Sequence, residues 1–181
     1  MQQEIVFSGF GGQGALFAGQ VLAYAAMEEG LNVTWIPSYG PEMRGGTAHC
    51  TVVVSDKPIG SPVVSHPSIA AVFNIPSFDR YESLIPAGGL LVVNTSLVTQ
   101  RSSRTDIDVL YVPATDTATE LGNTRLANMV VLGALLSRRP LVPLEAAKNA
   151  VTAHIAERHR DTLDLNYRAL AMGAELADNP A

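Results

Sequence analysis

A glycine-rich segment near the start of the chain has the composition and spacing of an anion-binding turn. It reads Gly9-Phe10-Gly11-Gly12-Gln13-Gly14, which matches the pattern G-x-G-x-x-G. Glycines allow a tight turn with positive φ and let a ligand approach the backbone closely. The apolar run 5–7 before this segment predicts a buried strand, and residues 15–29 after it predict a helix. The N–H groups that begin such a helix favour a phosphate or a carboxylate.

The glycine-rich segment is also compatible with a turn that only permits close packing, or with one that contacts a partner protein. In dinucleotide-binding folds, an Asp or Glu about 20 residues further on, at the end of the second strand, binds the ribose hydroxyls. Here the second strand is predicted at 32–36, and the residues that follow, 37–41, include no acid. The sequence therefore weighs against NAD or FAD binding.

A second unusual segment follows that strand, at residues 37–46. It reads Pro-Ser-Tyr-Gly-Pro-Glu-Met-Arg-Gly-Gly, and its two formal charges are Glu42 and Arg44. Its glycines and prolines exclude regular secondary structure. Loops of this kind often carry function, although a rigid connector between two strands is the alternative.

Polar residues also lie near the start of an apolar helix late in the chain. Residues 116–137 predict a helical segment with a break near Gly122-Asn123. Four polar residues lie at or near the start of its main run: Asn123, Thr124, Arg125 and Asn128. These side chains could contact a ligand or cap the helix, and the sequence leaves both open. For His49, a structural role is favoured over a ligand or base, because the neighbouring Cys50 should point to the other face of its strand.

Composition points to one domain, residues 1–181, whose surface is partly covered. Hydrophobic residues make up 47% of the chain and charged residues 16%, against a usual charged share of about 25%. A small domain has much surface to cover, so the low charge favours burial of some surface in an assembly. An alanine-rich monomer with a Ser/Thr surface is the alternative.

Several classes of protein are disfavoured by charge, hydropathy and cysteine content. The net charge is −5 at pH 7 without a marked basic cluster, which argues against nucleic-acid binding. The longest apolar stretches are too short or too interrupted to cross a membrane, and the N-terminus lacks the features of a secretion signal. The single cysteine, Cys50, excludes an internal disulfide and a cysteine-held cluster on this chain alone. We therefore expect a soluble cytoplasmic protein.

Continuous apolar strands that alternate with helices predict an α/β fold. The strands are predicted at 4–8, 32–36, 47–55, 68–74, 90–94 and 109–112. Such strands are typical of a sheet that is buried on both faces. We expect a Rossmann-like, mainly parallel sheet with helices on both faces.

Taken together, these motifs resemble the gamma subunit of the 2-oxoacid:ferredoxin oxidoreductases. The resemblance rests on residues 9–14, on the long segment 37–48 and on Leu121-Gly122-Asn123 before an apolar helix, and it covers nearly the whole chain. It is closest to the stand-alone gamma subunits for 2-oxoglutarate or branched-chain 2-oxoacids. The beta subunit of the indolepyruvate enzyme is a more distant relative.

The resemblance implies a role in the oxidative decarboxylation of a 2-oxoacid such as 2-oxoglutarate. In this family, thiamine diphosphate attacks the carbonyl, CO2 leaves, electrons pass through iron–sulfur clusters to ferredoxin, and coenzyme A takes the acyl group. The resemblance implies that thiamine diphosphate, Mg and the clusters belong to the alpha, beta and delta subunits. It also implies that the gamma-type domain packs on the catalytic subunits, helps to enclose coenzyme A and is inactive alone.

The anion-binding turn and this resemblance together give a hypothesis for the site. Backbone N–H groups of the glycine-rich segment would receive a phosphate or the pantetheine arm, Arg44 would supply charge, and two asparagines would add hydrogen bonds. The residues of this hypothesis are Gly11, Gly12, Gln13, Gly14, Arg44, Asn123 and Asn128. Tyr39, Glu42 and Met43 could equally be interface contacts.

Two other classes of function compete with an oxidoreductase subunit. One is a free-standing module that binds coenzyme A or a nucleotide, and the other is an independent Rossmann dehydrogenase. The missing acid after the second strand weighs against the dehydrogenase, while the low charge and the apolar loops favour the subunit over the module. We also expect the isolated chain to self-associate through the surface that it would present to its partners.

Overall fold

One six-stranded sheet positions the glycine-rich segment. The computed structural model describes residues 1–39 and 47–178. The strands are β1 (Gln2–Phe10), β2 (Asn32–Tyr39), β3 (Thr47–Ser55), β4 (Ile69–Val72), β5 (Leu90–Asn94) and β6 (Asp108–Val112). Their order in the sheet is β2-β3-β1-β4-β5-β6. The pairs β1–β4, β4–β5 and β5–β6 are parallel, so the prediction of a mainly parallel α/β sheet is confirmed.

The half of the sheet that contains β2 and β3 departs from a simple doubly wound pattern. Strand β3 lies between β1 and β2 and runs antiparallel to both. Residues 37–39, which the glycine and proline content predicted to lie outside regular structure, extend β2 and pair with β3. Successive strands joined by a short connection pair in this direction, because a parallel pair needs a longer crossover. The carboxyl end of β2 is therefore separated from the glycine-rich turn by one more strand than in a dinucleotide-binding fold, where these two strands are neighbours.

Six helices cover the described sheet unevenly. They are α1 (Ala15–Glu28), α2 (Ile75–Tyr81), α3 (Ala114–Glu120), α4 (Ala127–Arg138), α5 (Leu144–His154) and α6 (Leu163–Asp178). Apolar side chains of α1 and of α3 to α6 form one core with one face of the sheet. A smaller core on the other face includes Phe78 and Tyr81 of α2. The expected coverage of both faces is confirmed, and the predicted break near Gly122 separates α3 from α4.

The face that α1 turns toward the sheet differs from the predicted one. Hydrophobic spacing predicts that Phe17, Val21 and Tyr24 form the core face, and Val21 is indeed buried. Phe17 and Tyr24 are only partly buried. The closest approach to the sheet is made by small residues, since a Cβ at Gly19 would overlap the Cys50 sulfur. The face of α1 that contacts the sheet is therefore determined by small residue size more than by hydrophobicity.

Cys50 and His49 point to opposite faces of β3, as the sequence predicts. The Cys50 thiol is fully buried beneath α1 and lies 3.6 Å from the carbonyl oxygen of Ala15. Burial raises the pKa of this thiol to about 12. The His49 ring lies 6.4 Å from the Tyr81 ring on the other face. Its pKa is lowered by burial and by the nearby charge of Arg80, so the neutral imidazole is favoured.

Helix α4 is attached to its neighbours along its whole length. A Cβ at Gly133 would overlap the Leu170 carbonyl oxygen, and one at Gly173 would overlap that of Val130. The two glycines therefore allow the backbones of α4 and α6 to touch. At the other end of α4, Arg138 binds both carboxylate oxygens of Asp108, at 2.7 and 2.8 Å. Among the described residues, no helix is both long and apolar enough to cross a membrane.

Candidate functional site

The glycine-rich turn presents backbone N–H groups at the start of α1. Gly14 is the residue before the helix, its φ is 77°, and no side chain caps the helix there. Within residues 1–39 and 47–178, the N–H groups of Gly11, Gly12 and Gly14 donate to no backbone carbonyl. Unpaired donors of this kind at a helix start are well suited to an anion.

Gln13 has a different position from the three glycines in the described structure. Its backbone N–H donates to the Phe10 carbonyl at 3.1 Å. Its side-chain oxygen accepts from the Phe10 N–H at 2.6 Å, and its amide nitrogen donates to the Phe73 carbonyl at 3.3 Å. Gln13 thus closes the turn and ties it to the residue that follows β4. A contact between Gln13 and a ligand stays a prediction.

Asn128 is brought directly against the glycine-rich turn. It lies in the first turn of α4 and is 5% exposed. Its side-chain nitrogen donates to the Gly14 carbonyl at 3.2 Å, and its oxygen accepts from the Met129 N–H at 2.8 Å. A Cβ at Gly14 would lie 2.5 Å from that side-chain nitrogen. Asn128 therefore links the starts of α1 and α4 through its side chain.

Asn123 caps the short turn before α4 and also borders the same space. Its side-chain oxygen accepts from the Arg125 N–H at 3.1 Å, at the start of the 3-10 turn Thr124–Leu126. Capping, one of the two roles that the sequence left open, is therefore observed, and ligand contact stays a prediction. Arg44 lies outside the described residues, together with Glu42 and Met43.

A cavity of about 470 Å³ opens where the starts of α1, α4 and α6 converge. Its lining also includes the end of α5 and the segment that leads into α6. The lining residues are Gly12, Gly14, Phe17, Gln20, Asn123, Arg125, Leu126, Asn128, His154, Ile155, Ala156, His159, Thr162 and Asn166. Four residues predicted from the sequence, Gly12, Gly14, Asn123 and Asn128, therefore share one cavity.

The cavity is electrostatically suited to an anion. The starts of α1, α4 and α6 border it with the positive ends of their dipoles, against one negative end, that of α5. Arg125 is exposed at its edge, and two histidines, His154 and His159, also line it. Among the described residues, the lining contains no carboxylate, although the chain as a whole carries a net charge of −5. The charged side chains at the cavity are therefore basic, whereas the net charge of the protein is negative.

A smaller cavity of about 170 Å³ lies on the other side of Gly12 and Arg125. It is bordered by residues that end or follow the parallel strands β4 and β5, among them Phe73, Asn94 and Leu97. The carboxyl ends of parallel strands are where ligands bind in open α/β sheets. Because the two cavities share Gly12 and Arg125, one extended molecule could occupy both.

Several lining residues were not predicted from the sequence. His154, His159, Thr162 and Asn166 come from the last third of the chain and reach the cavity only through the packing of α5 and α6. No local motif marks them. Phe17 and Gln20 lie on α1. Phe17 was not predicted at the cavity because its spacing placed it on the core face of the helix.

The fold and the cavity define an α/β protein with a candidate ligand site at the start of its first helix. Comparison with known proteins is more specific. Residues 4–176 match the model of the pyruvate ferredoxin/flavodoxin oxidoreductase family, and the chain belongs to this family. The sequence-based resemblance is thereby confirmed.

Individual relatives agree with this assignment. The 2-oxoglutarate synthase subunit KorC of Methanothermobacter marburgensis is 37% identical over 183 residues, which cover 97% of each chain. The ketoisovalerate oxidoreductase subunit VorA of the same organism is 35% identical over 175 residues. The match covers 96% of this chain and 36% of VorA, so the chain spans about a third of the length of that relative.

A solved structure confirms the fold. The gamma subunit of a keto/oxoacid ferredoxin oxidoreductase from Geobacter sulfurreducens superposes with a TM-score of 0.82 at 32% identity. The superposition covers 97% of this chain and 98% of that one. The architecture described above is therefore that of a gamma subunit.

Proposed function

We propose that this chain is the gamma subunit of a coenzyme A-acylating 2-oxoacid:ferredoxin oxidoreductase, and that it encloses part of coenzyme A. The observation that carries the proposal is the 470 Å³ cavity. It combines three helix starts with Arg125, and its described lining holds no carboxylate. The names of the relatives KorC and VorA point to 2-oxoglutarate or a branched-chain 2-oxoacid as the substrate.

Coenzyme A matches the charge and the shape of the site. Its diphosphate and 3′-phosphate are anions that the N–H groups near Gly12 and Gly14 and the guanidinium of Arg125 can bind. The volume of the cavity lies within the range of about 300–1,000 Å³ that is common for ligand pockets. The smaller cavity beyond Gly12 offers a path for the rest of the molecule along the carboxyl edge of the sheet.

An iron–sulfur cluster does not fit the described part of this chain. Iron–sulfur clusters are held by cysteine thiolates, and the only cysteine, Cys50, is buried with its pKa raised to about 12. We assign the clusters, thiamine diphosphate and its Mg to the alpha, beta and delta subunits, from which electrons would pass to ferredoxin. This chain would bind and orient coenzyme A, whose thiol accepts the acyl group. It would be inactive alone.

An NAD-dependent dehydrogenase is disfavoured by the fold as well as by the sequence. Strand β2 ends with Ser38 and Tyr39 rather than with an acid. The antiparallel strand β3 separates that end from the glycine-rich turn, so a ribose carboxylate could not occupy its usual place. A free-standing module that binds coenzyme A remains the alternative to the subunit.

Co-expression of this chain with the other subunits provides the test. The purified complex should reduce a viologen dye in the presence of coenzyme A and one of several 2-oxoacids, of which the best substrate names the enzyme. Arg125→Ala should raise the KM for coenzyme A roughly tenfold to a hundredfold, because hydrogen bonds to a charged group contribute about 1.5–3 kcal/mol. The KM for the 2-oxoacid should not change.

Arg168→Ala is the matched control for this experiment. Arg168 is exposed on α6 and does not line the cavity, so its removal changes the net charge equally. An Arg125→Ala complex with an unchanged KM for coenzyme A would refute the enclosure of coenzyme A at this cavity. A chain that purifies alone and retains coenzyme A would instead establish the free-standing module.

A further inference from the structure

The end of the large cavity that lies away from the glycines is formed around a fixed imidazole. The His154 ring stacks on the Tyr24 ring, with centroids 3.5 Å apart and planes 6° from parallel. The ring nitrogen Nε2 of His154 lies 3.1 Å from a carboxylate oxygen of Glu28. Tyr24 and Glu28 are one turn apart on α1, so this helix holds the imidazole from one side and one edge.

His154 nevertheless remains accessible from the cavity. It lines the cavity, and its side chain is 30% exposed. Because Tyr24 covers one face of the ring, a planar group in the cavity could stack on the opposite face. Offset stacking of planar rings is favourable beyond the area that it buries.

Helix α1 connects this aromatic end to the anion-binding end. Phe17 and Gln20 line the same cavity and lie three and six residues after Gly14. With a rise of about 1.5 Å per residue, they are about 4.5 and 9 Å further along the helix axis. The cavity is therefore polarised, with N–H groups at one end and aromatic rings at the other.

Two side-chain amides in the same region can form hydrogen bonds with a ligand. Asn166 is 5% exposed, and its nitrogen donates to the carbonyl and hydroxyl oxygens of Thr162 at 2.8 and 3.2 Å. In the described part of the chain, the Asn166 side-chain oxygen accepts no hydrogen bond. This oxygen can accept from a ligand donor such as a hydroxyl or an exocyclic amine. The amide of Gln20 offers both a donor and an acceptor.

We propose that this end of the cavity binds the adenine ring of coenzyme A, stacked on the exposed face of His154. The inference rests on the proposed function, because it assigns one half of the same ligand. The diphosphate would lie at Gly12 and Gly14, and the pantetheine arm would leave through the smaller cavity. His154 is then a binding residue, and Tyr24 and Glu28 position it.

Inhibition by a fragment of the ligand tests this assignment in the assembled enzyme. The probe is adenosine 3′,5′-bisphosphate, which contains the purine and lacks the pantetheine arm, and it is titrated against coenzyme A in the viologen assay. His154→Ala should weaken inhibition roughly tenfold and raise the KM for coenzyme A in proportion, as loss of stacking under a base does. His154→Phe keeps a planar ring and should retain most of the affinity. The KM for the 2-oxoacid should be the same in all variants.

Gln20→Leu is a second variant, and it leaves the stacked pair of Tyr24 and His154 in place. It should also weaken inhibition by the bisphosphate, and it keeps the test decisive if His154→Ala prevents assembly. Suppose that Arg125→Ala raises the KM for coenzyme A but that inhibition by the bisphosphate is unchanged in His154→Ala. The placement of the purine would then be overturned. If His154→Ala does not assemble, unchanged inhibition in Gln20→Leu would have the same meaning. An unchanged KM in Arg125→Ala would instead refute the proposed function itself.

Discussion

The middle of α4 and its first turn are both held by a glycine, but the two contacts differ in kind. At Gly133, the backbone of α4 touches the backbone of α6. At the first turn, Gly14 of the neighbouring segment touches the side chain of Asn128. A backbone cannot move without moving its helix, whereas a side chain can rotate. The comparison indicates that the packing in the middle of α4 fixes where the helix lies, and that the contact at its start adjusts the shape of the cavity.

The rigid contact has a consequence for the site. Asn128 and Asn166 lie five and four residues before Gly133 and Leu170, on the two helices that touch there. Their positions at the cavity are therefore set by a contact about one turn away that binds no ligand. We infer that the cavity depends on the α4–α6 crossing as much as on the residues that line it.

The largest effect is expected from Gly133→Ala. Alanine would favour the helix by about 1 kcal/mol, but its Cβ would overlap the backbone of Leu170, which no rotamer change can relieve. Overpacking of a core costs about 1–3 kcal/mol and occasionally more, so we expect the free energy of unfolding to fall by about 2 kcal/mol or more. Denaturant unfolding followed by circular dichroism measures this change.

Gly60→Ala is the control for that substitution. Nothing lies within 4 Å of a Cβ at Gly60, and its φ is not in the left-handed region. Its free energy of unfolding should stay within about 0.5 kcal/mol of the parent. Equal stability of the Gly133 and Gly60 variants would show that α4 and α6 separate at little cost. The contact at Gly133 would then not fix the position of α4.

A smaller effect is expected from Gly14→Ala. The left-handed φ of 77° costs an alanine about 1–2 kcal/mol, and the new Cβ would also press on the Asn128 side chain. We expect lower stability and a higher KM for coenzyme A in the assembled enzyme. Unfolding of the single variants and of the double variant with Asn128→Ala separates the two causes.

In that cycle, Asn128→Ala removes the nitrogen at 2.5 Å and the carbon at 2.9 Å from the new Cβ, and it leaves only the Cβ at 3.1 Å. Gly14→Ala should therefore cost less in the Asn128→Ala background. If Gly14→Ala lowers the free energy of unfolding equally in both backgrounds, backbone conformation alone explains the loss. The contact between Gly14 and the Asn128 side chain would then have no energetic role.

The smallest effect is expected at the C-terminal end of α4. Hydrogen bonds from Arg138 lower the pKa of Asp108, so the ion pair stabilises the fold above the ordinary pKa of an aspartate, about 3.9. This contribution is lost as pH falls through the lower pKa of the folded state. Since both side chains are partly exposed, Arg138→Gln should cost at most about 1 kcal/mol near neutral pH.

Stability measured across pH identifies the source of that loss. The difference between Arg138→Gln and the parent should shrink as the solution becomes acidic. In an Asp108→Asn background, Arg138→Gln should have a smaller effect at neutral pH, and its effect should not change with acid. A difference that persists in acid would mean that Arg138 acts through packing rather than through charge.

Sequence patterns were most informative where one physical requirement dominates. Strand β1 contains the apolar run 5–7 and β5 is apolar at 90–93, and the predicted positions of both strands agree with the structure within two residues at each end. Gly12 and Gly14 were recognised because a tight turn before a helix needs glycine. Asn123 and Asn128 were selected by their position near a helix start, and both line the cavity.

The remaining features depend on contacts that no local pattern encodes. The antiparallel placement of β3 was missed because the periodicity of a strand does not specify its neighbours. The inward face of α1 was partly wrong because Gly19, beneath which Cys50 packs, mattered more than the size of Phe17 and Tyr24. His154 and Asn166 reach the cavity through the packing of two helices far along the chain.

Because Cys50 is buried beneath α1, chemical labelling of its thiol can measure local unfolding of this helix. A thiol reagent needs the thiolate, and here both the raised pKa and the covering helix withhold it. Labelling must therefore wait until α1 separates from the sheet, so its rate in excess reagent reports the frequency of that opening. If the glycine-rich turn holds coenzyme A, the ligand should slow the labelling, because the same helix begins at the site and covers the sulfur.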